Sequence, residues 1–402
     1  MTAQQQDGRH DAGHCSASPG RPVLKKNPNK RTGTVYMKIG ITGGGSAGHV
    51  VPALAVAAQL QARDAHEIVF FGRAGSIEHE YAGKASAPFR PVPSAGLKRY
   101  GSWSNLRMPF TVLRGIGAAW KAMRSERPDA VFSKGGYVTV PVGIAAWLCR
   151  TPLVIHESDH SLGLANTILA RMATRVCLTT PPSPDAPGWL SRKAVVTGLP
   201  LRHDLASGNP DRLRRRLGFT PHLPVLLAFC GSQGSTRIND AVRSQLPKLC
   251  AEFSVLHLCG TGNLDASLDG IDNYRQLEYL HEDMTDALWL ADLVIGRAGA
   301  TTLAELEALG KPAVLIPLPA TVSRGDQLDN AQSYVRRHLG QCVVIPDDES
   351  LTGGAALTEA CLRLADTGQT QQPDPADIHR AASLIAAEIL AAAGPRGRRQ
   401  GR

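Results

Sequence analysis

From residue 38 onward, short apolar runs rich in Ile, Val and Phe alternate with stretches whose apolar positions recur every three or four residues. The runs at 38–42, 68–71, 130–132, 153–155 and 176–178 predict buried strands, and helical spacing lies between them at 53–61, 109–124, 140–148 and 165–172. A second series predicts strands at 225–229, 255–258, 274–279, 292–295, 313–316 and 342–345, with helices at 239–249, 283–289, 301–309 and 327–337. Strands that are apolar throughout and separated by helices form parallel sheets covered on both faces. The stretch 197–224, with its prolines, glycines and arginine run, separates the two series and is the candidate linker. The expectation is an α/β protein of two doubly wound, Rossmann-like halves, with ligand in the shared cleft beyond the strand carboxyl ends. The domains expected are a disordered tail at 1–36, a first half at 37–198, a second at 199–375, a helix at 376–394 packing back across both, and a basic tail at 395–402.

Composition narrows the class. A chain of 402 residues, 43% hydrophobic and 20% charged, suits two soluble domains. The net charge of +9 is concentrated at the ends: residues 1–36 hold six Lys/Arg against two Asp, and residues 395–402 hold four Arg. The body is therefore near neutral, and no nucleic-acid partner is expected. Eight cysteines without a CxxC or regular spacing indicate neither a zinc site nor a disulfide framework, and reduced thiols in an intracellular protein are expected. The longest uncharged apolar run, 137–149, is too short and too rich in Pro and Gly to span a bilayer. No apolar signal core precedes Met37, which stands just before the first strand and is a candidate start.

The densest candidate chemistry lies at 296–330. After a predicted strand, Arg297, Ala298 and Gly299 make a small-residue turn, and a helix pattern runs from Thr301 through Thr302, Leu303, Ala304 and Glu305, closed by Gly310 and Pro312. Free N–H groups and the helix dipole at such a start suit a diphosphate. Glu305, one turn on, is placed to accept from ribose hydroxyls, and Gln327 and Asn330 share a face of the next helix. The set reads as a nucleotide-sugar cradle.

In the first half, Gly43-Gly44-Gly45-Ser46-Ala47-Gly48-His49 satisfies G-x-G-x-x-G between a strand and a helix. The second strand ends in Gly72-Arg73 rather than an acid, which disfavours NAD; Arg73 leaves NADP open, as it does a glycine turn needed only for packing. His49, at a helix start facing the cleft, is expected to be a neutral imidazole able to act as general base. Ser133-Lys134-Gly135-Gly136-Tyr137 and His156-Glu157-Ser158-Asp159 fall on the same rim, and Cys230-Gly231-Ser232-Gln233-Gly234 is an anion-type loop in the second half. No Asp-x-Asp pair or metal-spaced cluster appears, so no metal or cofactor is expected.

Together, GGGSAGHVVPALAVA, SKGGYVTVPV, HESDHSLGLAN, GLPLR, GSQGS, EYLHEDM, RAGATTLAEL and SRGDQLDNA resemble the MurG-type transferases of glycosyltransferase family 28, in order from Met37 to Asn330 and more weakly to Ala393. The resemblance implies a GT-B fold, a peripheral position on the cytoplasmic face of the inner membrane, and inverting transfer of GlcNAc from UDP-GlcNAc to undecaprenyl-linked lipid I. Carried over by position, it implies His49 as base and donor contacts from Ser46, Ala47, Gly48, Asp159, Arg202, Ser232, Leu280, Gly299, Ala300, Thr301, Thr302, Leu303, Ala304, Glu305 and Gln327, with Arg297 and Asn330 beside them. Asp159 stands where many members have an amide. The mixed basic and apolar stretch 97–110 suits an anionic membrane surface. Alternatives from the same fold are another UDP-sugar transferase acting on a glycolipid or small aglycone, and a UDP-GlcNAc 2-epimerase.

Overall fold

The structure is a computed structural model describing residues 36–44, 47–64, 66–84, 86–94, 104–231, 233–280, 283–321, 325–365 and 375–394. The expectations for the two tails, apart from Tyr36, lie outside these residues.

The first sheet contains β1 (Lys38–Thr42), β2 (Glu67–Gly72), β3 (Phe89–Pro91), β4 (Ala130–Ser133), β5 (Leu153–Glu157), β6 (Arg175–Leu178) and β7 (Ala194–Val196), in the order β3-β2-β1-β4-β5-β6-β7, all parallel. Its helices are α1 (Ala47–Asp64), α2 (Ile77–Lys84), α3 (Ser104–Glu126), α4 (Thr139–Leu148), α5 (Leu164–Met172) and the short α6 (Gly188–Ser191). After α7 (Pro210–Leu217), the second sheet contains β8 (Val225–Phe229), β9 (Ser254–Leu258), β10 (Tyr274–Leu277), β11 (Leu293–Gly296), β12 (Ala313–Leu315) and β13 (Cys342–Val344), in the parallel order β10-β9-β8-β11-β12-β13. Around it lie α8 (Thr236–Ser244), α9 (Leu246–Glu252), α10 (Met284–Leu290), α11 (Ala300–Ala308), α12 (Asp326–Arg337) and α13 (Ala355–Ala365), and α14 (Pro375–Ala393) is the last helix among the described residues.

Burial explains the uninterrupted apolar strands. Ile68 and Phe70 of β2 face one core while Val69 and Phe71 face another; Val225 and Leu227 of β8 are likewise separated from Leu226 and Ala228. In each sheet the order of strand addition switches side between the first and fourth strands in sequence, opening a crevice at the strand carboxyl ends. In the first sheet that point lies between β1 and β4, and in the second between β8 and β11.

Several boundaries differ from the sequence reading. Helix α1 begins at Ala47 and runs through Pro52, whose missing N–H costs one bond near the helix start. The predicted 239–249 helix is two helices, α8 and α9, with Pro247 opening the second. The edge strands β3 and β7, three residues each with none fully buried, are too short to stand out as apolar runs. The linker region is also ordered. Asn209 caps α7 by accepting from the Arg212 N–H, Pro210 begins the helix, and Gly218 closes it at φ 68°. Leu213 and Leu217 of α7 join the second half's core, and Arg212 bonds Asp286 of α10 at 2.6 Å. Helix α14 returns to the first sheet, where Ala382, Ile385, Ala386 and Ile389 complete the core beneath β1 and β4.

Candidate active site

Two glycine turns interlock at the first switch point. The Lys134 backbone N–H donates to Thr42 O at 2.9 Å, and a Cβ on Gly43 would strike Lys134 Cβ. Gly136 adopts φ +91°, and a Cβ there would overlap the Gly44 carbonyl and sit 3.2 Å from His49 Cδ2. The half-buried His49 ring thus packs on bare backbone in the first turn of α1. Burial first, then the Lys134 charge, lowers its pKa to about 3, so the imidazole is neutral; its Nδ1 has no protein partner.

Lys134 is only 1% exposed. Its ammonium donates to Ser158 Oγ, and burial pulls its pKa down to about 8 against the fields of Glu157 and Asp159. The Glu157 carboxylate organises the next turn: it accepts from the N–H groups of Ser158 (2.9 Å), Asp159 (3.3 Å) and Gly163 (2.8 Å) and from Asn166 Nδ2 (3.0 Å). His156 donates through Nε2 to Gly198 O at 2.9 Å, tying β5 to the segment between the halves; burial keeps this ring neutral as well.

On the second wall, Gly299 caps α11 in extended conformation, and the Leu303 N–H bonds back to Gly299 O at 3.0 Å. The N–H groups of Ala300, Thr301 and Thr302 precede that bond and are open to an anion. Glu305, 3% exposed, receives Arg202 Nε at 2.7 Å. Burial raises its pKa, and Arg202 opposes the rise. The Arg297 guanidinium is committed to protein: it bonds Ile316 O at 3.0 Å, Asp347 Oδ2 at 2.7 Å and Ser235 Oγ at 2.9 Å, clamping the turn before α8 to the end of β12. Gln327 Oε1 accepts the Leu318 N–H at 3.0 Å. The side chains of Leu280 and Leu303 are packed in the core, so contacts from these two residues fall to their backbones.

The walls meet. Asn330 Nδ2 lies 3.4 Å from both Asp159 Oδ1 and Ala298 O, and Ser161 Oγ donates to Asp326 Oδ1 at 3.1 Å. The rim carrying His49 and the open start of α11 therefore border one cleft. Among the described residues, no three His, Cys, Asp or Glu side chains gather as a metal-binding group.

Residues 39–178 match the glycosyltransferase family 28 N-terminal domain, and residues 225–389 match the family's C-terminal domain. Over 313 residues, 78% of this chain and 86% of the relative, the chain is 44% identical to the UDP-N-acetylglucosamine--N-acetylmuramyl-(pentapeptide) pyrophosphoryl-undecaprenol N-acetylglucosamine transferase of Geobacillus thermodenitrificans. The chain belongs to glycosyltransferase family 28. Among solved structures, Acinetobacter baumannii MurG aligns with a TM-score of 0.60 at 25% identity, covering 88% of this chain and 99% of that one. The UDP-GlcNAc 2-epimerase of Neisseria meningitidis aligns at 0.61 with 13% identity, covering 88% and 100%, a likeness of fold alone. The two facing Rossmann-like halves are the GT-B architecture.

Within this family 28 chain, the structure pairs Arg202 with Glu305 and brings Asn330 to Asp159, while Gly48 and His49 lie in the first turn of α1 and Gly299–Thr302 at the start of α11. Ser46 and Ser232 lie outside the described residues, as does the side chain of Ala47. Two buried groups went unnominated from sequence. Glu157 lies inside a motif already singled out, so its position was the available signal. Glu78 of α2 carried none: its carboxylate fills the space over Gly44 and Gly72 and accepts the Arg73 N–H at 3.3 Å. Arg73 points its Nη1 to the Tyr137 hydroxyl at 3.5 Å.

Proposed function

We propose that the protein is an inverting N-acetylglucosaminyltransferase that moves GlcNAc from UDP-GlcNAc to the C4 hydroxyl of the muramoyl unit of undecaprenyl-pyrophosphoryl-MurNAc-pentapeptide, turning lipid I into lipid II in peptidoglycan synthesis. One observation carries the reading. Asn330 joins the Asp159 turn to the start of α11, so a neutral histidine and an open helix N-terminus share one cleft. The 44% identity to a relative named for this transfer supports the substrate pair.

The acceptor oxygen attacks the anomeric carbon as the bond to UDP breaks, inverting α to β through an oxocarbenium-like transition state. His49 takes the hydroxyl proton late, as the new bond forms. The charge growing on UDP falls on the free N–H groups of Ala300, Thr301 and Thr302 and on the α11 dipole. Glu305, held by Arg202, accepts from the ribose hydroxyls. Arg297 acts at a distance by fixing the loop before α8.

The lipid acceptor requires approach to a membrane, and no helix among the described residues is long and apolar enough to cross one. Helix α3 offers a surface for peripheral binding on the cytoplasmic face. Phe110 (76% exposed), Leu113 (64%) and Trp120 (41%) share its outer side with the exposed Arg114, Lys121 and Arg124. Of the 97–110 stretch expected to meet lipid, residues 97–103 lie outside the described residues.

The test is incubation with labelled UDP-GlcNAc and a short-chain lipid I analogue. A β-1,4-linked disaccharide lipid with stoichiometric UDP is expected. Release of UDP with no glycosylated lipid, or free N-acetylmannosamine instead, would overturn the reading.

A further inference from the structure

We propose that Asp347, in the turn after β13 and outside every motif read from the sequence, is a positioning residue for the donor: through Arg297 and Arg237 it fixes the start of α11 against the start of α8. The proposal rests on the cleft being a UDP-sugar site whose diphosphate lies at the α11 start. Each oxygen of the carboxylate serves a different arginine. Oδ2 accepts from Arg297 Nη1 at 2.7 Å and Oδ1 from Arg237 Nη1 at 2.9 Å, while the Asp347 backbone carbonyl also accepts from Arg237 Nη1 at 2.6 Å. The Asp347 side chain is 10% exposed and that of Arg297 14%, so water competes little for this pair.

The place of these three residues in the sheet gives the contacts their weight. Gly296, the end of β11, lies beside Phe229, the end of β8, so the helices that follow begin on either side of the switch point. Arg297 stands just before Gly299, the cap of α11, and Arg237 lies in the first turn of α8. Ser235 is the N-cap of α8, yet its side chain does not cap that helix; its hydroxyl accepts from Arg297 Nη2 at 2.9 Å instead. Beyond Asp347 the chain is fastened to the end of α8. Gln245 Nε2 donates to Gly353 O at 2.6 Å, and a Cβ on Gly354 would strike Ala241 O. Asp347 is thus carried on the α8 side and reaches across to the α11 side. Both its oxygens are engaged by guanidinium groups, so it acts through the arginines. Fixed N–H groups stabilise a diphosphate only when their spacing is set beforehand. Without the carboxylate, two neighbouring cations lose their shared counter-charge, repel, and let the two helix starts drift apart.

The test compares UDP with uridine, which lacks the phosphates, using calorimetry for the first and ligand-observed NMR for the second. In Asp347→Ala, UDP affinity should fall about tenfold or more, the scale of one lost charge-assisted hydrogen bond, while uridine affinity stays unchanged. Arg297→Ala should behave alike, and Arg297→Ala/Asp347→Ala should bind UDP no worse than Arg297→Ala alone. Equal loss of UDP and uridine would show a general structural role and overturn the proposal. So would unchanged UDP affinity, or tighter binding by arginines freed to reach the phosphates. If Asp347→Ala does not fold, Asp347→Asn, which keeps the shape without the charge, should give the same pattern in smaller measure. If the unaltered protein takes up no UDP, the donor-site reading fails and this proposal with it; normal uptake that is indifferent to both Asp347 variants sinks the role of Asp347 alone.

Discussion

Arg202 and Glu305 meet at 2.7 Å, joining the segment between the halves to the second turn of the helix whose start faces the cleft. The carboxylate is buried, so the guanidinium is what makes its charge tolerable there. Arg202→Ala should destabilise the fold by about 3 kcal/mol, because an unpaired buried charge remains. Denaturant midpoints would read it, and Arg202→Ala/Glu305→Gln should recover part of the loss. The pH sign follows from the raised pKa of Glu305, caused first by burial. The folded form holds that proton more tightly than the unfolded chain, so this group's contribution is greatest in acid and is lost as pH rises above the ordinary 4.5. The decline should be steeper in Arg202→Ala.

His49→Ala should lower kcat by about 10²- to 10⁴-fold while leaving UDP affinity nearly unchanged by calorimetry. Equal loss of both would remove His49 as the base.

Acid should weaken the fold through its neutral histidines. His49 and His257 are held at about 3, and His156 well below its ordinary value, each by burial first. Unfolding in acid protonates them, so their contribution is complete above pH 6.5 and is lost as pH falls toward 3. Each adds a slope of about 1.4 kcal/mol per pH unit within that window. His257→Gln, which removes a ring bonded to Tyr274 and Asn239, should flatten the melting-temperature curve between pH 6 and 4.

Gly136→Ala places a Cβ against the Gly44 carbonyl at a positive φ. A loss of about 2 kcal/mol or more is expected from backbone strain and the forced separation of the two turns. Gly231→Ala is also at positive φ, but its Cβ meets nothing within 4 Å, so it should cost less in parallel melts.

Phe110→Ser/Trp120→Ser should weaken the affinity for anionic vesicles, read by sedimentation, by about a hundredfold or more, since each large side chain contributes about 1.5–3 kcal/mol when fully buried. Added salt should weaken binding further through Arg114, Lys121 and Arg124. Unchanged sedimentation would remove α3 as the lipid-facing surface.

Much of the fold is legible in sequence because both faces of a doubly wound sheet are covered, leaving strands such as Ile68–Phe71 with no polar position. The α11 start is legible because glycine and two threonines follow a strand directly. Helix α7 was within reach: Asn209-Pro210 and Gly218 bracket it, but the arginines between them read as a linker. Lys134 is the harder case. Lysine is rarely buried, and only the packing of Gly43 against its Cβ and the carboxylates of the Glu157–Asp159 turn account for its burial.

Helix α14 has a consequence for biosynthesis. The first half leaves the ribosome well before Ile385, Ala386 and Ile389, which close its hydrophobic interior. It must therefore wait, incompletely sealed, until that distant helix emerges, and a stop before residue 375 should leave a sticky fragment rather than a working half-enzyme.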